Sequence, residues 1–135
     1  DYVFDWSKML SFEGDTAPYL QYAHARICSI FTKVADSEWR ESPIFVSDEY
    51  ELRLARSILT YRDSFESSAR DLMPNRLCTH LLALTSSFGS FYENCPVLIA
   101  EDPKVRNSRL RLCDATARVL KTGLSLLGID APERM

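Results

Sequence analysis

Apolar side chains recur along most of this chain at steps of three and four residues. This spacing puts them on one face of an α-helix, and no alternating pattern typical of a half-buried strand competes with it. We therefore predict an all-α fold, a helical bundle of about five amphipathic helices. Residues 1–135 are expected to form a single domain, with 1–16 as an irregular entry segment and loop and 17–135 as the bundle. The predicted helices cover about 17–35, 48–60, 62–72, 74–95 and 104–127, and 36–47 and 97–103 are predicted loops.

The three longest helices each carry an unbroken apolar stripe that we expect to face the core, and the two shorter helices carry shorter stripes. The long stripes are Leu20, Ala23, Ile27, Ile30 and Val34; Leu77, Leu81, Leu84, Phe88, Phe91 and Cys95; and Leu110, Cys113, Ala117, Leu120, Leu124 and Leu127. The short stripes are Leu52, Ala55 and Leu59, and Phe65, Ala69 and Leu72.

Several helix ends are marked by residues with known capping preferences. Thr16 is suited to cap the first long helix because its hydroxyl accepts a backbone N–H, and Pro18 lies in the first turn, where its missing N–H costs nothing. Gly14 offers a positive φ angle in the preceding loop. At the far end, Gly128 predicts a helix stop, and Pro132 prevents the helix from resuming.

Composition narrows the class of protein. Hydrophobic residues make up 46% and charged residues 26%, which is ordinary for a globular domain and unlike a disordered segment. No apolar run approaches the roughly 18–20 residues that span a bilayer, so we expect no membrane partner. The chain begins at Asp1 without an initiator methionine or a signal-like segment, and we therefore expect it to be part of a longer protein.

The cysteines and histidines do not form a recognisable reactive site. No two cysteines have the Cys-x-x-Cys spacing of a zinc site, so we expect buried free thiols in a reducing, cytoplasmic location. His24 and His80 have no neighbouring serine or cysteine in a nucleophile setting, and we predict no catalytic residue. The four cysteines are Cys28, Cys78, Cys95 and Cys113.

The net charge of −3 hides an asymmetry along the chain. Residues 1–51 hold 10 acids and 4 bases, whereas residues 52–135 hold 9 acids and 12 bases. The densest basic run extends from Lys104 to Lys121, with Asp114 as its only acid. Because arginine makes forked contacts to phosphate and stacks on base planes, this run is either a solvated helix face or a contact surface for nucleic acid.

Tyr19, Tyr22 and Arg26 form a second stripe on the first long helix, about 100° from its apolar stripe. Tyr92 is similarly offset from the core-facing Phe91. Single-stranded RNA is read by stacking unpaired bases on aromatic and arginine planes, so these residues suit an RNA loop. The same residues would also widen the buried face, or anchor a helical protein–protein interaction module. A small bundle enzyme is a third alternative, although no phosphate-binding or metal-binding motif occurs.

Blocks of sequence at both ends of the chain resemble one known family. In order, they are DYVFDW at 1–6, KMLSFEG at 8–14, TAPYLQYA at 16–23, FYE at 91–93, CPVL at 95–98, LLGI at 126–129 and PERM at 132–135. Together they resemble the C-terminal domain of arginyl-tRNA synthetases, often called the DALR domain. At Pro96 the chain departs from some members, which carry an aromatic residue there.

The resemblance implies an α-helical anticodon-binding domain whose partner is the anticodon loop of an arginine tRNA. In the full-length family enzyme, a class I synthetase, a separate catalytic domain uses ATP and magnesium to attach arginine to that tRNA. The signatures of that domain are not in this sequence, so we expect this chain alone to be inactive, without cofactor or metal. Separately, we expect the chain to be a monomer. The positions that the resemblance assigns to the anticodon are Ser11, Phe12, Glu13, Gly14, Asp15, Thr16, Tyr19, Tyr22, Arg26, Tyr92 and the C-terminal Met135.

The genetic code adds a constraint to that implied role. Every arginine anticodon has C as its middle base, so its reader needs a stacking platform and an acceptor for the cytosine amino group. The tyrosines provide the platform, and several carbonyl or carboxylate groups, including those of Met135, are suitable acceptors.

Overall fold

The computed structural model describes residues 5–11 and 14–135, and within these ranges the chain is helical without a strand. The elements are α1 (Trp6–Met9), α2 (Ala17–Phe31), a 3-10 helix (Glu38–Glu41), α3 (Glu49–Leu59), α4 (Tyr61–Asp71), α5 (Pro74–Asn94) and α6 (Pro103–Leu126). The predicted all-α bundle is thereby confirmed. None of the helices in the described ranges combines the length and the apolar character that a bilayer span requires.

The two longest helices, α5 and α6, lie at the centre of the bundle. They pack against each other, α2 and α3 pack against both, and α4 packs on α5. The apolar stripes predicted for α2, α5 and α6 are buried, except that Val34 and Leu127 lie just beyond their helices and are only partly buried. Burial of these long stripes removes their apolar surface from water and supplies most of the driving force for the fold.

The inward face predicted for α3 is correct at Ala55, which packs against the core, and wrong at Leu52 and Leu59. Leu59 is 76% exposed and Leu52 is also exposed, whereas Leu54 and Glu51 are buried. The cause is a buried acid, because a prediction from apolar positions alone does not count an acid as inward-facing. Glu51 belongs to the capping box of α3, and its carboxylate accepts from the backbone N–H of Asp48 at 3.2 Å. With Glu51 turned inward, the helix buries the face one residue away from the predicted one.

The prediction for α4 is wrong in the same way. Phe65 and Ala69 are exposed and Leu72 is 86% exposed, whereas Ser68 is buried. The inward side of α4 carries Tyr61, which packs against the core, together with small polar residues, of which Ser64 has its Oγ 3.1 Å from His80 Nδ1 on α5. A hydrogen-bonded pair replaces the apolar contact that the spacing of phenylalanine and leucine suggests.

The connection between α2 and α3, predicted as a loop, contains the 3-10 helix and buries Trp39. The Trp39 ring stacks on Phe31 at the end of α2, with 5.2 Å between ring centres. Further along, the hydroxyl of Ser108 on α6 donates to the carbonyl of Phe45 at 2.7 Å and accepts from its N–H at 3.0 Å. The connection therefore follows α6 closely.

A buried ion pair joins α3, α6 and the end of α5. Arg109 Nε donates to Glu51 Oε1 at 2.7 Å, and Arg109 Nη1 donates to the Pro96 carbonyl at 2.7 Å. Glu51 Oε2 accepts from the N–H of Ser47 at 2.8 Å. Because Glu51 is only 2% exposed, these bonds satisfy a charge that would otherwise be buried without a partner.

Candidate nucleic-acid interface

The start of α2 is shaped by a tight loop and a side-chain cap. Gly14 has a φ of +77°, as its position in the sequence predicts, and its carbonyl accepts from the N–H of Thr16 at 3.0 Å. The hydroxyl of Thr16 donates to the Ser11 carbonyl and accepts from the N–H of Tyr19 at 3.2 Å. The predicted cap is confirmed, and it ties the entry loop to the first turn of the helix.

Beyond the cap, α2 presents its second stripe at the edge of the bundle. Tyr19 is partly buried and packs against the core. Tyr22 is 47% exposed, and Arg26 is exposed one turn further along. The expectation of a widened buried face therefore fits Tyr19, while Tyr22 and Arg26 remain accessible to a partner.

A cation–aromatic contact links α2 to α5. The guanidinium carbon of Arg26 lies 5.0 Å from the centre of the Tyr92 ring. The Tyr92 ring in turn stacks on Phe88, with 5.8 Å between centres and 25° between planes. The buried Phe88 therefore supports the Tyr92 ring from below. We call the surface formed by Tyr22 and Arg26 of α2 and Tyr92 of α5 the aromatic-basic face. Planes of this kind hold unpaired bases by stacking.

The last residues of the chain pack on another side of α2. Gly128 adopts a φ of +73° directly after α6, and the N–H of Ile129 donates to the Leu124 carbonyl at 2.9 Å. This turn sends the chain back over α2, where Gln21 Nε2 donates to the Asp130 carbonyl at 2.8 Å. The helix stop predicted at Gly128 is confirmed.

Two further side chains of α2 and α6 lie beside this segment. His24 is buried, and its Nδ1 lies 2.9 Å from the Pro132 carbonyl. Lys121 Nζ lies 4.0 Å from Glu133 Oε1. Burial, with the nearby negative charge of Glu133, raises the pKa of the Cys28 thiol, which lies 3.7 Å from His24 Nε2. Cys28 is therefore kept in its protonated, unreactive form.

Most charges of the basic run on α6 have partners within the chain. Arg106 pairs with Asp36 at 3.0 Å, Arg118 pairs with Asp114 at 2.9 Å, and Arg109 is the buried partner of Glu51. A further member, Arg111, donates to the Arg40 carbonyl. Arg106, Arg109 and Arg111 thus hold the 36–51 region onto α6, so half of the run serves contacts within the domain.

The residues predicted for a binding site fall into three groups. Phe12 and Glu13 lie outside the described residues, as do residues 1–4. Gly14, Asp15, Tyr22, Arg26 and Met135 are exposed, and Ser11, Thr16, Tyr19 and Tyr92 are partly buried. The structure brings Arg26 and Tyr92 into contact and places Ser11 and Thr16 in one loop.

Sequence reasoning placed Phe88 in the core but missed its contact under Tyr92, and it missed Gln21 and His24 under the last residues of the chain. A signal was available for two of them. Gln21 and His24 are polar residues three apart, which is the spacing of a shared face of a helix.

The four cysteines are free thiols, and Cys95 and Cys113 are buried. Burial and the neighbouring Asp48 carboxylate raise the pKa of Cys95 to about 11, and burial also raises that of Cys113. In the described part of the chain, His, Cys, Asp and Glu side chains do not gather in groups of three or more that could hold a metal ion.

Comparison with known proteins gives consistent matches to one enzyme. Over its whole length the chain is 48% identical to the arginine–tRNA ligase of Vibrio campbellii and 47% identical to that of Escherichia fergusonii, and it covers 24% of each. The chain thus spans about a quarter of the length of the curated relatives that it matches.

Solved structures and a family model agree with this. The arginyl-tRNA synthetase of Thermus thermophilus superposes with a TM-score of 0.90 at 38% identity, covering 98% of this chain and 23% of that one. The Plasmodium falciparum enzyme gives a TM-score of 0.88 at 33% identity, covering 100% and 24%. The family model of the DALR anticodon binding domain matches residues 20–135, and since this is most of the chain, the chain belongs to the DALR anticodon-binding domain family.

Proposed function

We propose that this chain recognises the anticodon loop of an arginine tRNA as the non-catalytic anticodon-binding domain of an arginine–tRNA ligase. The observation that carries the proposal is the aromatic-basic face, on which Arg26 stacks over Tyr92 beside the exposed Tyr22. A splayed anticodon presents unpaired bases, and exposed tyrosine and arginine planes bind such bases by stacking.

The family and its relatives supply the identity of the RNA. The family is described as anticodon binding, and the relatives are arginine–tRNA ligases of about four times this length. In the complete enzyme, ATP and magnesium would act in the catalytic part, which is separate from the residues described above. We further propose that the domain acts as a monomer in the cytoplasm, where its free thiols would stay reduced.

The contacts proposed for the anticodon are those predicted from the sequence, and they differ in how well they are placed for RNA. Tyr22, Arg26 and Met135 are exposed, whereas Tyr19 contributes mainly to the core. Ser11 and residues 14–16 lie at the start of α2, where the positive end of the helix dipole favours an anionic phosphate.

The proposal is tested by measuring the affinity of the 135-residue chain for an anticodon stem-loop with an arginine anticodon. A second stem-loop, identical except that G replaces the middle C, is the matched control. We expect the chain to prefer the arginine stem-loop, and we expect the affinity to fall steeply as salt rises. A protein–protein module predicts equal, weak binding of both stem-loops, and that result would refute the proposal.

A further inference from the structure

The final seven residues, 129–135, called the closing segment below, are held on α2 by side chains more than a hundred positions away. Gln21 Nε2 donates to the carbonyl of Asp130 at 2.8 Å, and His24 Nδ1 is 2.9 Å from the carbonyl of Pro132. A carbonyl oxygen only accepts hydrogen bonds, so the Nδ1 atom of His24 carries the hydrogen. The two bonds attach alternate residues of the segment to successive turns of one helix.

The attachment is partly buried. His24 is 2% exposed, and two apolar residues of the segment pack against the core. Ala131 lies between the two hydrogen-bonded residues, and Ile129 directly precedes them. A buried polar group that loses its partner costs more than an exposed one, because water does not replace the bond. His24 therefore contributes more than Gln21 to holding the segment in one position.

We infer that His24 and Gln21 are positioning residues that fix the closing segment relative to Tyr22 and Arg26 of the same helix. Met135 and the aromatic-basic face then meet one RNA loop in a constant spatial relation. Without these bonds the segment would have to be ordered during binding, at a cost in conformational entropy that weakens affinity. The inference rests on the proposed function, since it assigns both parts to anticodon binding.

Matched variants separate the hydrogen bond from the packing at position 24. His24→Leu keeps a side chain of similar bulk but removes the donor, whereas His24→Asn keeps a donor at the position of Nδ1. Gln21→Met likewise removes the amide donor at the less buried site while keeping the length of the side chain. Circular dichroism melting checks that each variant is folded, and Gln21→Met serves as the test if His24→Leu does not fold.

The first measurement is the affinity of each variant for the arginine stem-loop. We expect His24→Leu to bind about fivefold or more weakly and His24→Asn to bind within about twofold of the wild type. The decisive comparison repeats the His24→Leu change in a chain that ends at Asp130. If His24 acts through the closing segment, the substitution should have no further effect there.

The second measurement does not involve RNA. Carboxypeptidase A should release Met135 several times faster from His24→Leu and Gln21→Met than from the wild type, because an undocked segment reaches the protease more often. The His24→Asn variant should release it at the wild-type rate.

The possible outcomes are distinguishable. A wild-type chain that does not discriminate between the two stem-loops refutes the proposed function. Suppose instead that the wild type discriminates between the stem-loops, and that the donor-removing variants have the same affinity and the same rate of Met135 release as the wild type. This result refutes only the positioning role. An equal loss of affinity from His24→Leu in the full and the shortened chains also refutes it, because His24 would then act through the fold.

Discussion

The guanidinium group of Arg26 lies 5.0 Å above the centre of the Tyr92 ring, joining α2 to α5 at the edge of the bundle. An exposed cation–π contact of this kind contributes about 0.5–1 kcal/mol, so its effect on the fold is small. Its larger consequence is geometric, because it holds two flat groups of different helices in fixed positions beside the exposed ring of Tyr22.

Replacing Tyr22 by alanine should weaken binding of the arginine stem-loop by about 1–3 kcal/mol, the usual effect of removing one base-stacking ring. Tyr22→Phe keeps the ring and is the matched control, expected to retain most of the affinity. Fluorescence anisotropy titrations at fixed salt would measure both. Wild-type affinity in Tyr22→Ala, with the fold intact, would show that this ring does not stack on RNA.

The corrected face of α3 makes a prediction about stability. Leu54→Ala should lower the free energy of unfolding by about 2–5 kcal/mol, because Leu54 is completely buried and its removal leaves a cavity. Leu59→Ala, on the exposed side of the same helix, should cost less than about 0.5 kcal/mol. Urea unfolding curves measure both, and comparable losses would contradict the orientation of α3.

The close approach of α5 and α6 requires glycine at position 123. A Cβ atom added there would lie 2.6 Å from Leu81 Cδ2 and 2.8 Å from Cδ1, so the fully buried Leu81 side chain would have to shift within the core. Gly123→Ala should therefore destabilise the protein by about 1–3 kcal/mol. The control is Gly89→Ala on α5, where nothing lies within 4 Å of the added atom. This control should be neutral or slightly stabilising by thermal melting, since alanine favours the helix.

Breaking the buried ion pair should be costly. Glu51→Ala leaves Arg109 without its carboxylate at a site where both side chains are largely hidden from water, so we expect a loss of about 3 kcal/mol in unfolding free energy. Glu49→Ala removes the exposed partner of Arg53 and should cost less than about 1 kcal/mol. Chemical denaturation measures both variants, and a similar small effect would mean that the pair is not buried in solution.

His80 should make stability depend on pH. Burial beside Ser64 lowers its pKa in the folded protein, so the unfolded chain takes up a proton first as the solution is acidified. The stability that neutral His80 contributes is thus fully present above the ordinary pKa of histidine, about 6.5, and it is lost as the pH falls below that value. Wild type should lose more stability than His80→Gln between about pH 7.5 and 5.5 in urea titrations. Parallel losses would indicate that His80 titrates normally.

The candidate site was predictable only in part. The stripe of Tyr19, Tyr22 and Arg26 follows from their spacing, because residues three and four apart share one side of any helix. The contact between Arg26 and Tyr92 does not follow from it, because the two residues are 66 positions apart and meet only through the way α2 crosses α5. The partners of the basic run on α6 were predictable only at Arg118, which pairs with Asp114 of the same helix, because the other partners come from distant parts of the chain.

By itself the sequence determined the structural features that depend only on residues close to one another along the chain. The long apolar stripes, the Thr16 cap and the stop at Gly128 are local features, and local propensities and periodicity are sufficient to specify them. The tertiary structure decided which side of α3 faces inward, because the buried Glu51 depends on Arg109 of α6, and which side of α4 does so, because Ser64 lies beside His80 of α5. It also decided that the closing segment docks on α2, because hydrogen bonds between residues a hundred positions apart exist only after the helices have packed.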